Sequence, residues 1–162
     1  MPVIRRLPVL ALGLLLLSAL IAVPALAETS AYEKQKVAYH VNYYGAKDQT
    51  AALRNVQNHI NAVGAENLEL AVVMHGDGLA LLLYPDAVED TKMKEGNADD
   101  QMQARIAGLK QLGVEFKVCA NTLKGRNVAV DALYDVDEAD IVPSGVAELS
   151  KLQQQGYTYI KP

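Results

Sequence analysis

The chain has 162 residues, 51% of them apolar, with 15 Lys and Arg against 19 Asp and Glu and a formal charge of −4. That length is one domain's worth with a proper core, and an acidic chain without a basic stripe excludes a nucleic-acid binder. A single cysteine excludes an internal disulfide, so stability has to come from packing or from assembly with other subunits.

Residues 1–27 read as a cleavable secretory signal. Arg5 and Arg6 supply the charged start, residues 7–23 the apolar run, and Ala25-Leu26-Ala27 a small-x-small site before Glu28. The apolar run approaches the length a bilayer needs, but Pro24 and the Ala-x-Ala ending favour cleavage over an anchor. The arginine pair lacks the polar residue usual before a twin-arginine signal, so ordinary secretion is expected. No cysteine follows the run to take a lipid. The mature chain would then have 135 residues with 13 basic and 19 acidic side chains, a charge of −6, and would be a periplasmic protein free of the membrane.

Residues 28–35 form a short polar lead, expected to be mobile, and 36–162 form a single α/β domain. Residues 37–43 alternate as a strand does, with Val37, Tyr39, Val41 and Tyr43 on one face and His40 and Asn42 on the other. Asp48 caps a helix with a stripe of Leu53, Val56, Ile60 and Val63, closed by Gly64. An apolar strand spans 68–74 and ends at His75-Gly76-Asp77-Gly78. Residues 78–84 fit a short helix or a hydrophobic turn, stopped by Pro85. Residues 92–100 read as a charged surface loop.

Met102, Ile106, Leu109 and Leu112 mark a second helix ending at Gly113. A third strand covers 114–119, and a helical turn around Thr122-Leu123 leads into an irregular stretch with Val128, Val130 and Leu133. Ile141-Val142 makes a short fourth strand. Ser144 caps a helix whose inner stripe is Val146, Leu149 and Leu152, and residues 157–160 form the last strand. Strands alternating with helices imply crossovers and a mainly parallel sheet of about five strands, covered on both faces as a three-layer α/β/α sandwich.

In such sheets, ligands and reactive groups gather beyond the carboxyl ends of the strands. Asn42, His75 and Cys119 each follow or close a strand, so they are the candidates. A free thiol in an oxidising compartment is buried, bound to a partner or used. One reading of Cys119 is a nucleophile: a helical turn opening at Asn121 or Thr122 would aim free amides at the sulfur, and Lys117, two residues back on the same strand face, would add positive charge. The other is a small buried hydrophobe, the commonest fate of a free cysteine.

His75 could orient a substrate or move a proton, or simply bond a loop carbonyl. His40, in mid-strand, reads as a satisfied core residue, and His59 as surface. Three histidines and one cysteine at these spacings form no metal motif. The sequence has neither a phosphate loop nor a dinucleotide fingerprint, so no cofactor is expected. Tyr157 and Tyr159 read as core or subunit-contact residues.

The run Leu112-Gly113-Val114-x-Phe116-x-Val118-Cys119-Ala120-Asn121-Thr122-Leu123, with Val142-Pro143-Ser144-Gly145-Val146 and Gly156-Tyr157-x-Tyr159-Ile160, resembles the DsrE/DsrF-like family. The resemblance implies a flavodoxin-like sandwich, homo- or hetero-oligomers, and a cysteine at a strand end that holds sulfur as a persulfide and passes it to a partner thiol. By position Cys119 is similar to that cysteine. The expected function is periplasmic sulfur binding or transfer through Cys119, supported by Asn121, Lys117, His75 and Asn42, with a thiol-bearing protein as acceptor. Two alternatives stand beside it: a non-catalytic oligomeric binding module with a packed cysteine, and a dimer linked through Cys119.

Overall fold

The structure, a computed structural model, describes residues 32–162; the expected signal at 1–27 and the start of the lead lie outside them. Four βα units and a final strand follow in order: β1 (Gln35–Val41), α1 (Ala46–Val63), β2 (Leu68–Met74), α2 (Asp100–Gln111), β3 (Glu115–Cys119), α3 (Ala120–Arg126), β4 (Ile141–Val142), α4 (Gly145–Gln154) and β5 (Thr158–Ile160). All pairings between these strands are parallel, in the order β4-β3-β2-β1-β5. The central strands β1 and β2 are each buried over their last five residues, which is why β2 reads as a continuous apolar run, while β1 carries His40 within its buried stretch.

The strand order dictates the layers. From β1 to β4 the chain steps outward in one direction, and right-handed crossovers put α1, α2 and α3 on the same face. The step from β4 back to β5 runs the opposite way across the sheet and puts α4 on the other face. The result is a three-layer α/β/α sandwich of flavodoxin-like architecture, with two unequal cores. The larger joins Leu53, Val56 and Ile60 of α1 and Met102, Ile106 and Leu109 of α2 to Val37, Tyr39, Val72, Met74, Phe116 and Val118. The smaller joins Leu149 and Leu152 of α4 to Ala38, Ala71 and Val73.

Several boundaries differ from expectation for local reasons. Helix α2 ends at Gln111, so Leu112 is its cap, outside the buried stripe of Met102, Ile106 and Leu109, and is 41% exposed. Val146 is 65% exposed: the inner stripe of α4 is Gly145, Glu148, Leu149 and Leu152, and Val146 falls to one side of it. Helix α1 opens at Gly45, with Asp48 inside its first turn. Residues 78–83 belong to a fully buried 3₁₀ segment and its continuation, and the charged 92–100 stretch is pinned inward by Met93 and Ala98. Ser144 does cap α4, accepting from the Ala147 N–H. Among the described residues no helix is long and apolar enough to cross a membrane.

The register aligns the carboxyl ends of the strands. Val41 pairs with Met74, Met74 with Val118, and Cys119 with Val142. The residues that follow, Asn42, His75, Ala120 and Pro143, therefore emerge along one edge.

Candidate functional site

Cys119 closes β3 and caps α3, with 4% of its surface exposed. Its sulfur is surrounded by donors. The backbone N–H groups of Gly145, the first residue of α4, and of Asn121 and Thr122 in the first turn of α3 lie close enough to favour its anion. The Thr122 hydroxyl adds a fourth donor: its oxygen accepts from the Gly76 N–H at 2.8 Å, which leaves its own hydrogen for the sulfur. Burial pushes the thiol up, but these donors together hold it below its ordinary range.

Gly145 fits so closely that a methyl group built on it would lie 3.0 Å from the His75 Cβ and 3.3 Å from both the His75 Cδ2 and the Cys119 Cβ. A larger residue would wedge His75 and Cys119 apart. The two side chains thus flank the first residue of α4.

His75 is also joined to His40. The rings stack with centroids 4.7 Å apart, and their Nε2 atoms are 2.7 Å from each other. The other ring nitrogen of His40, Nδ1, lies 2.7 Å from the hydroxyl of Tyr159 on β5. Burial first, then the charges of His75 and Lys161, bring His40 down to about 4, and burial followed by Lys161 also lowers His75. Both imidazoles are neutral at neutral pH.

The other expected residues lie at the same edge but play different parts. Lys117 shares the sheet face of Cys119, yet its ammonium is held by Glu115 at 3.1 Å. Asn121 is exposed and contributes its backbone N–H to the sulfur. Asn42 is half-buried just past β1 and makes no side-chain hydrogen bond among the described residues. Asp77 is bound to Arg126 at 2.6 Å, which ties the turn after β2 to the end of α3. His59 lies apart on α1, bonded to Tyr39 and Gln35.

Four contributors escaped sequence reasoning: Gly145, the hydroxyl of Thr122, and the parts played by His40 and Tyr159. The alternation of the first strand put His40 on the face opposite Val37 and Val41, which is correct, but which strands neighbour it was not available from sequence. An open groove of about 620 Å³ lies elsewhere, between α3 and the segment holding Val128 and Val130, and Cys119 does not line it. Among the described residues no three His, Cys, Asp or Glu side chains are grouped to hold a metal ion.

Comparison with known proteins fits this architecture. A search of curated proteins found no match. Two solved structures share the fold. The protein of unknown function MTH1491 from Methanobacterium thermoautotrophicum is 24% identical, with a TM-score of 0.62 over 80% of this chain and all of that one. The ychN protein from E. coli is 18% identical, with a TM-score of 0.55 over 81% of this chain and all of that one. The profile of the DsrE/DsrF-like family matches residues 35–162, which hold the whole sheet and every residue of the sulfur pocket, and the chain belongs to that family.

Proposed function

We propose that the protein is a periplasmic sulfur carrier that holds sulfane sulfur as a persulfide on Cys119 and gives it up to the thiol of a partner protein. The observation that carries this reading is the setting of Cys119, which closes β3 and caps α3 with Gly145 of α4 packed so closely that a Cβ on it would lie 3.3 Å from the Cys119 Cβ, and where neighbouring donors of Gly145, Thr122 and Asn121 favour the thiolate against burial. A buried cysteine kept only for packing needs no such set of donors, whereas a thiolate does. In the transfer, the Cys119 thiolate attacks the sulfane sulfur of a donor R–S–SH. A new S–S bond forms to Cys119, the old S–S bond breaks with its electron pair on R–S⁻, and that thiolate takes a proton. No net oxidation occurs, and discharge to an acceptor thiol is the same step in reverse.

The leader-like sequence at 1–27 supports export. The face bearing α4 is covered by a single helix and exposes Val146 and Tyr159, which supports a homo-oligomer. Light scattering should return a mass above that of one chain, and a single-chain mass would remove this part of the reading.

The 4% exposure of Cys119 favours the rival in which the cysteine is only packed. Mass spectrometry of the mature protein after incubation with polysulfide separates the two. A gain in steps of one sulfur, absent from Cys119→Ser, is expected; an unchanged mass would establish the packed cysteine.

A further inference from the structure

Cys119 points to the sheet face that α4 covers. Ala38, Ala71 and Val73 mark that face by packing against α4, the register pairs Val73 with Lys117, and Cys119 lies two residues beyond Lys117. Gly145 shuts over it, with room so short that a Cβ there would lie 3.3 Å from the Cys119 Cβ. The thiol of an acceptor protein cannot reach a cysteine 4% exposed under a helix end until that cover leaves.

The cover can leave as one piece. β4 and β5 are the two edge strands of the sheet, two and three residues long, and α4 straps the face between them. Without them the longer strands β1, β2 and β3 remain paired with one another, and α1, α2 and α3 still cover the opposite face. The strap's hold is slight. Leu149 and Leu152 rest on Ala38, Ala71 and Val73, short side chains that offer little area, and the other inward residues of the helix are Gly145 and Glu148. A supersecondary unit with so few buried apolar contacts belongs to the low-stability end of a fold.

Two tyrosines of the strap reach the rest of the sheet. Tyr157 donates to Glu69 at 3.3 Å in an exposed contact, and the Tyr159 hydroxyl lies 2.7 Å from Nδ1 of His40, a residue 8% exposed. We propose that β4, α4 and β5 separate from the sheet together, with the Tyr159–His40 hydrogen bond as their latch, and that this opening admits the acceptor thiol to Cys119. The inference rests on the carrier reading for its purpose and specifies how a buried sulfur meets its partner. The Asn121 and Thr122 donors belong to α3, so they stay with the sulfur when α4 leaves.

The test is the rate at which Cys119 of the mature protein reacts with Ellman's reagent, followed across sub-denaturing urea at one protein concentration, with hydrogen exchange of the backbone amides read alongside. No sulfur donor takes part. The comparison is the native protein with Tyr159→Phe, which removes the latch at an exposed edge position, and Ile106→Val, which loosens the larger core on the opposite face. Labelling should proceed through an opening whose urea slope is well below that of global unfolding. Tyr159→Phe should speed it roughly fivefold, the value of one hydrogen bond. Ile106→Val should lower the global unfolding midpoint and leave the labelling rate unchanged. The amides of α4 should exchange through the same opening.

A labelling rate that rises in Ile106→Val as far as global stability falls, with the full urea slope, would mean that the sulfur is reached only when the whole domain unfolds, and would overturn the strap. Labelling of the folded protein as fast as that of the unfolded chain, or an unchanged rate in Tyr159→Phe, would overturn it as well. Each of these results leaves the uptake of sulfur from polysulfide to be read on its own. An unchanged mass in that experiment would remove the carrier reading, and with it the purpose of the opening, whatever the labelling shows.

Discussion

Thr122 shows how little sequence is needed to tune the sulfur. Its hydroxyl oxygen accepts from the Gly76 N–H at 2.8 Å, and the hydroxyl favours the Cys119 thiolate. Thr122→Val keeps the shape and removes that donor, leaving the Gly76 N–H without its acceptor. Alkylation of Cys119 by iodoacetamide near neutral pH should slow by roughly tenfold, the value of one hydrogen bond to a charged group. An unchanged rate would mean that the backbone donors alone set the thiol. Sequence reasoning located the sulfur and the amides of the following turn, because a strand running into a helical turn is a local pattern. It assigned Lys117 to the thiol, and the structure pairs that ammonium with Glu115 two residues earlier, a competition between neighbours on one strand face. Gly145 and Tyr159 are 26 and 40 residues further along the chain. No local pattern links them to Cys119.

At the scale of elements, the site depends on how tightly the turn after β2 sits on the end of β1. A Cβ placed on Gly78 would lie 2.0 Å from the Val41 carbonyl oxygen and 2.9 Å from the Asn42 Cα, both backbone atoms. Neither can move without disturbing β1, which carries His40 one residue earlier. Gly78→Ala should therefore destabilise the fold by about 3 kcal/mol in denaturant unfolding; a loss below about 0.5 kcal/mol would show that this approach is not fixed. The element types were legible because α1 and α2 keep a helical stripe, β1 alternates as a strand does and β2 is an apolar run of strand length. The exposure of Val146 was not. On α4 the stripe is narrow, since only Leu149 and Leu152 reach the small second core, and Gly145 and Glu148 occupy positions that hydrophobicity does not flag.

For the molecule as a whole, the buried His40 links stability to pH. Its folded value near 4 lies below the unfolded value near 6.5, so between these limits the unfolded chain binds more protons than the folded one. Stability therefore falls as the pH drops through 6.5 and stops falling on this account below about 4, with a total loss of roughly 3 kcal/mol. Melting temperature followed from pH 7 to pH 4 should decline in the native protein and decline less in His40→Gln. Parallel curves would assign the acid sensitivity to other groups. The strand order was the least legible property of the fold. The return of the chain from β4 to β5, beyond β1, brings Tyr159 to His40, and alternation of elements alone does not specify it.

The ionisation of Cys119 tests the account most directly, because the persulfide chemistry requires a sulfur that readily becomes an anion. Thiolate absorbance of the mature protein, titrated against pH with Cys119→Ser as the blank, reads it without any assumption about a sulfur donor. A midpoint below that of an ordinary cysteine is predicted. A midpoint at or above the ordinary value would mean that burial outweighs the four donors, and the carrier reading would fall.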